Sequence, residues 1–331
     1  MARLVGIRWD ARTIPVRYSM NATLDPVPNP LGPDFLTLAD AQAALQRSFD
    51  TWNAVPTSYI EMRIAGTTPN PGACGFDMVN ELTFRTAPGF GAIASSPSVT
   101  LIADTDLVDG DDIDGDGDSD VSAAITSARD VDGDGDIELP AGFYKAGTIL
   151  DNDVQFNTSA SSGLRFTVRD EEADTVRRSV DLMAVAVHEF GHSHGLSHVL
   201  NNQLSPTDGT GATMFPFVDT GDPVSELAQR SLATDDVAWS SYLYPEGTTD
   251  HGPAALQKGD VPFRTRFGLA QGTLHHGALD EPIAGGSLYA TSALTGAITA
   301  SAFSGTTQLS LDPATGGLYL VDPEFDVVDG R

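Results

Sequence analysis

An α+β fold followed by a small all-β module is what the sequence predicts, and three observations carry that reading. Ala41, Leu45, Phe49 and Trp52 recur at helical spacing and form one apolar stripe. Residues 58–65, 80–86, 97–103 and 147–157 have the composition of short strands. After Glu246 the chain becomes rich in Gly, Pro and Thr, then breaks into brief β-type runs.

The elements follow in order. Thr37 with Asp40 has the form of a capping box and opens the first helix, whose stripe from Ala41 to Trp52 faces a core. Strands follow, with a long acidic insertion between the last two. Its first loop is Asp112, Asp114, Asp116, Asp118 and Asp120, preceded by Asp109 and Asp111. Its second is Asp130, Asp132, Asp134, Asp136 and Glu138. Each places carboxylates at alternate positions around glycines. Acids packed so closely repel unless a hard cation lies between them, so one or more calcium ions are expected at 109–138. The twelfth positions are Ala123 and Ala141, so neither loop carries the bidentate glutamate that completes an EF-hand. Asp181 is a natural N-cap for the next helix, with Leu182, Val185 and Ala186 toward the core.

That helix carries the chemistry. His188-Glu189-Phe190-Gly191-His192 continues through Gly195 to His198, an H-E-x-x-H-x-x-G-x-x-H pattern. His188 and His192 lie four apart and share one helical face, so both rings can reach one ion. Gly195 lets the chain leave the helix through a conformation other residues avoid, and His198 returns to the metal. Three protein ligands leave a fourth position for water, the mark of a catalytic zinc. Glu189 has the general-base position beside the first ligand. His194 lies about 200° from His192 around a helix and is expected to be structural.

The motif is that of the metzincin proteases, and the chain resembles most a bacterial-type matrixin over much of residues 8–246. Ala212-Thr213-Met214-Phe215-Pro216 resembles the Met-turn, and Asp153-Val154-Gln155-Phe156-Asn157 the edge strand lining the cleft. Leu232, Asp235-Asp236-Val237 and Leu243-Tyr244 resemble the closing helix. The resemblance implies a mixed twisted sheet with about three helices, a zinc endopeptidase activity on proteins or peptides, and Met214 supporting the metal from below. Pro216 and Phe217 are expected to line the pocket for the side chain after the scissile bond. Matrixins usually bind a second, structural zinc through histidines. No histidine precedes His188 here, and Gln155 stands at one such position, so one zinc is expected.

With 46 acidic and 18 basic residues the formal charge is −28, which argues against nucleic acid or an anionic membrane as partner. No apolar run is long enough to span a bilayer. One cysteine, Cys74, allows no intrachain disulfide. The expected organisation is a protease domain at 1–250 and a linker plus small β-rich module at 251–331. Pro282 to Ala290 resembles the start of carboxypeptidase-regulatory-like β-sandwich modules. A secreted monomer is expected, with Met1 beginning a mature form. The competing reading is a calcium-dependent binding or adhesion protein with a vestigial protease domain.

Overall fold

The computed structural model describes residues 7–22, 27, 36–68, 75–85, 92–125, 129, 138–159, 165–170, 178–199, 212–218, 227–247, 260–268, 270, 272, 274–277, 281–283, 286–296, 298–303, 308–311 and 318–321. Cys74, Asp130, Asp132, Asp134 and Asp136 lie outside them.

In chain order the elements are β1 (Val16–Asn21), α1 (Leu38–Asn53), β2 (Met62–Thr68), β3 (Glu81–Arg85), β4 (Ala94–Ser95), β5 (Ser98–Thr100) and β6 (Thr105–Leu107). Next come β7 (Val121–Ser122), β8 (Leu139–Pro140), β9 (Gly142–Tyr144), β10 (Ile149–Asn152), β11 (Val154–Asn157), β12 (Arg165–Thr167), β13 (Ser179–Asp181) and α2 (Leu182–Ser193). Then follow α3 (Thr234–Leu243), α4 (Phe263–Arg266), β14 (His275–His276), β15 (Glu281–Pro282), β16 (Ser287–Thr291), β17 (Ile298–Phe303), β18 (Gln308–Leu311) and β19 (Leu318–Val321).

Thr37 caps α1 by accepting the Asp40 N–H, and the stripe Ala41, Ala44, Leu45, Phe49 and Trp52 is wholly buried. It packs on α2: the Phe49 and Phe190 rings stack at 3.8 Å, and the Trp52 indole donates to Val187 O at 2.8 Å. Behind them lies a five-stranded sheet in the order β2-β1-β3-β11-β4, parallel except for β4. Among the described residues, the mixed sheet with α1, α2 and α3 agrees with the expected α+β architecture.

Three strand expectations need correction. The run at 58–65 begins its ladder only at Met62, which pairs with Val16 and whose two backbone groups are also bonded by the Asn53 amide. Residues 147–157 form two strands: β10 pairs with β5, Asp153 interrupts, and β11 enters the main sheet. The segment expected at the edge, Asp153 to Asn157, is second from it. β4 covers it antiparallel, with Phe156 opposite Ala94. Alternating residues could not reveal this, since β11 is buried on both faces.

A second core of Met78, Leu107, Val121, Leu139, Tyr144 and Leu150 supports the acidic insertion. The strands following the two acidic loops pair in parallel, Val121 with Leu139. Beyond Glu246, the β-type runs expected at 286–291, 297–303, 308–311 and 318–321 correspond to the antiparallel pairs β16–β17 and β18–β19. Among the described residues every strand pair there is a separate two-stranded sheet, and no sandwich is formed.

Candidate metal centre

The site is built on α2. Its N-cap is Asp181, fully buried, whose Oδ1 accepts Ala184 N–H at 2.7 Å. The same carboxylate holds Arg230 through Nε at 2.9 Å and through Nη2. That hydrogen bond to Asp181 raises the guanidinium pKa further. Leu182, Val185 and Ala186 are buried as the sequence predicts. This anchors the helix that presents His188 and His192.

Each of these rings is aimed by a backbone carbonyl. His188 Nδ1 lies 2.7 Å from Thr213 O and His192 Nδ1 lies 2.7 Å from Leu196 O. A carbonyl only accepts, so both Nδ1 atoms carry the proton and both Nε2 lone pairs are free. The Nε2 atoms converge on His198, whose Nε2 is 3.1 Å from that of His188 and 3.0 Å from that of His192. Convergent lone pairs repel unless a cation lies among them. A tetrahedral zinc with Zn–N of about 2.0–2.1 Å separates ligand nitrogens by roughly 3.3 Å, so the triad fits zinc closely. Burial, then the neighbouring His192, lowers the His188 pKa to about 3, and burial also lowers that of His192. Both rings are therefore neutral, as a ligand must be.

Gly195 does two things. Its φ of +95° is the expected departure from the helix, and a Cβ there would stand 1.9 Å from Ile7 O. Its bare Cα admits the N-terminal segment as well as turning the chain. Gly191, inside the motif, was given no role by the sequence; a Cβ there would meet Met214 Sδ at 2.1 Å. Met214 is buried beneath the site, in a turn whose Thr213 and Met214 N–H groups donate to Asp236 at 2.8 and 3.2 Å. Pro216 is half-buried and Phe217 is exposed.

Glu189 is 6 % exposed, and burial pushes its carboxyl up to about 8. His194 is structural as expected: its Nδ1 faces Phe190 O and its ring stands edge-on to Trp52 at 4.2 Å. Gln155 sits in β11 between Thr83 and Ser95.

In the first acidic loop, Asp112, Asp114 and Asp116 offer oxygens all within 4.8 Å of one another. Asp118 is not part of that trio; its N–H donates to Asp116 Oδ1 at 2.9 Å. Asp120 is fully buried, its Oδ2 accepting from Ile113 and Asp114, while its Oδ1 has no hydrogen-bond partner. Glu138 is buried and also outside the trio.

A second acidic group escaped the sequence reading. Glu81, Asp151 and Asp153 are buried around the β10–β11 junction, with Asp77 beside them. Burial, then the Asp153 charge, pushes Glu81 up to about 7 and Asp151 up to about 8. Asp151 and Asp153 alternate within a stretch read as plain strand, and that spacing, which puts both on one face, was the available signal.

The family model described as Matrixin matches residues 120–245, from the last aspartate of the first acidic loop through the closing helix. No curated protein matches in sequence. Among solved structures, the GM1-bound form of the ECX AB5 holotoxin aligns over 70 % of this chain and 80 % of that chain, at 12 % identity and a TM-score of 0.32. A likeness that slight bears on neither fold nor function. The triad, its glycine turn, the buried methionine and the matched segment lead to one conclusion: this chain carries a matrixin-like catalytic domain.

Proposed function

We propose that the protein is a zinc-dependent endopeptidase that hydrolyses protein substrates with Glu189 as general base. The observation that carries this is the convergence of three Nε2 atoms at 3.0–3.1 Å, two of them with the opposite nitrogen committed to a carbonyl. Bound zinc supplies a Lewis acid and lowers the pKa of its water toward ~7. His188, His192 and His198 hold it as neutral ligands. The Glu189 carboxylate takes the proton of the attacking water and delivers it to the leaving amine nitrogen. Burial alone raises its pKa, and the positive charge of bound zinc would offset that rise and hold the carboxylate ionised, ready to take a proton. Pro216 and the exposed Phe217 ring offer an apolar wall for the residue after the scissile bond.

The vestigial-protease alternative is disfavoured because degenerate sites lose a ligand or the base, and none is lost here. Calcium belongs to the proposal through Asp112, Asp114, Asp116 and Asp120, supported by the unpartnered buried Asp120 Oδ1. The remaining acids, Asp118, Asp130, Asp132, Asp134, Asp136 and Glu138, are proposed to complete or repeat that shell. An exposed loop of this kind suits the high calcium outside cells, and export is part of the same reading. No helix among the described residues is long and apolar enough to cross a membrane.

The deciding experiment is Glu189→Gln. Casein cleavage should fall by about 10³-fold or more while zinc stays bound at one ion per chain. Cleavage within tenfold of the parent would end the assignment of Glu189.

A further inference from the structure

We infer that Ser301, in the β16–β17 hairpin, is a positioning residue for the metal centre and acts on it through the first turn of α3. The observations form an unbroken path. Asp235 and Asp236 are neighbours in that turn, 5 % and 1 % exposed, and their carboxylates serve different segments. Asp235 turns to β17: its Oδ1 accepts Ser301 N–H, and its Oδ2 accepts Ser301 Oγ–H at 2.8 Å. One turn on, the Trp239 indole N–H donates to Ser301 O. Three polar groups of one hairpin residue are thereby clamped to α3.

Asp236 turns the other way. Its Oδ2 accepts N–H from Thr213 at 2.8 Å and from Ala233 at 2.8 Å, and its Oδ1 accepts from Met214 at 3.2 Å. Thr213 O in turn receives His188 Nδ1–H at 2.7 Å. From the hairpin to the ring that presents Nε2, every step is a hydrogen bond or a covalent neighbour. Groups that hold the second nitrogen of a ligating histidine control its orientation and tautomer. Ser301 therefore holds the turn that holds the ring.

The module beyond residue 250 thus belongs to the catalytic unit in a physical sense, even though it offers no reacting group. With Ser301 Oγ removed, a buried carboxylate loses a donor and the first turn of α3 relaxes. The Met-turn backbone then follows, and the His188 ring is held less firmly.

This rests on the zinc reading, and zinc release from the full-length protein into excess chelator tests both separately. Wild-type protein that takes up no zinc overturns the zinc reading. If wild type binds zinc, Ser301→Ala and Asp235→Ala should each release it about three- to tenfold faster, below the ~10–100-fold typical of direct partners of ligands. Asp235→Asn should stay within about twofold of wild type, because the amide can still accept from Ser301 N–H and donate to Ser301 Oγ. Leu294→Ala, at a 97 % exposed position in the same module, should not change the rate. Release from Ser301→Ala at the wild-type rate would overturn the inference, whatever its effect on melting temperature. That variant deletes a single oxygen and decides the matter alone if Asp235→Ala does not fold.

Discussion

At the scale of single residues, the metal centre depends as much on absent atoms as on present ligands. Gly191 lies between the two helical ligands, and Met214 Sδ occupies the volume its Cβ would need, 2.1 Å away. Gly191→Ala must therefore push the thioether and the turn that carries Thr213 O, the acceptor of His188. Overpacking of this kind costs ~1–3 kcal/mol, and the strain falls on one ligand's hydrogen bond. The variant should melt lower and release zinc faster than wild type. Thermal melting together with chelator-driven release checks this, and a lower melting temperature with unchanged release would mean that the turn yields without moving His188. Gly191→Ala with Met214→Ala should recover part of the loss, since the second change clears the volume claimed by the first.

At the scale of elements, helices were more legible than strands, for a physical reason. The stripe of α1 and the cap of α2 are local, so Thr37, Asp181 and the spacing of apolar residues state them outright. The place of β11 in its sheet depends on β3 and β4, which lie far away in sequence, and its four buried residues give no alternation to read. The histidine ligands were legible because helical spacing fixes their face. The carbonyls of Thr213 and Leu196 that orient the rings were not, since any residue supplies a carbonyl. The carboxylates at the β10–β11 junction were hidden likewise, because Asp77 reaches Asp151, and Glu81 reaches Asp153, only through the fold. They have a consequence for pH. Glu81 titrates near 7 and Asp151 near 8 when folded, against about 4 when unfolded. A raised carboxyl pKa favours folding while the group is protonated, fully so below about pH 4, and that contribution is lost as pH rises through 7 to 8. Glu189 near 8 and Asp236 near 7 act in the same direction. In chelator at constant ionic strength, the melting temperature should fall between pH 6 and pH 9, and Asp151→Asn should flatten part of the slope. A melting temperature that rises over that interval would contradict the burial of these groups in uncompensated form.

At the scale of the whole molecule, charge is the largest unbalanced quantity. The chain carries −28 with a single cysteine, so no intrachain disulfide offsets the repulsion. Asp112, Asp114 and Asp116 hold oxygens within 4.8 Å of one another, and beside them the buried Asp120 keeps one oxygen without a donor. Two unit charges ~4 Å apart repel by about 4 kcal/mol at an effective dielectric of ~20, before screening and relaxation. A bound cation removes that repulsion and adds stability by mass action, about 2.7 kcal/mol at a hundredfold excess over its dissociation constant. At roughly 2–4 °C per kcal/mol for a domain of this size, millimolar calcium should raise the melting temperature by ~5–10 °C. The rise should spread from the loop into the protease domain, because Val121 and Leu139 join the acidic insertion to the core that includes Leu150 of β10. Sodium chloride at matched ionic strength should give only a fraction of it, since screening does not coordinate. Asp114→Ala should blunt the calcium effect and leave the sodium effect in place. Equal melting curves in calcium and in matched sodium would make the loop a plain solvated turn. A calcium effect fully retained in Asp114→Ala would move the ion to other acids, with the buried set at Glu81 and Asp151 the next to substitute.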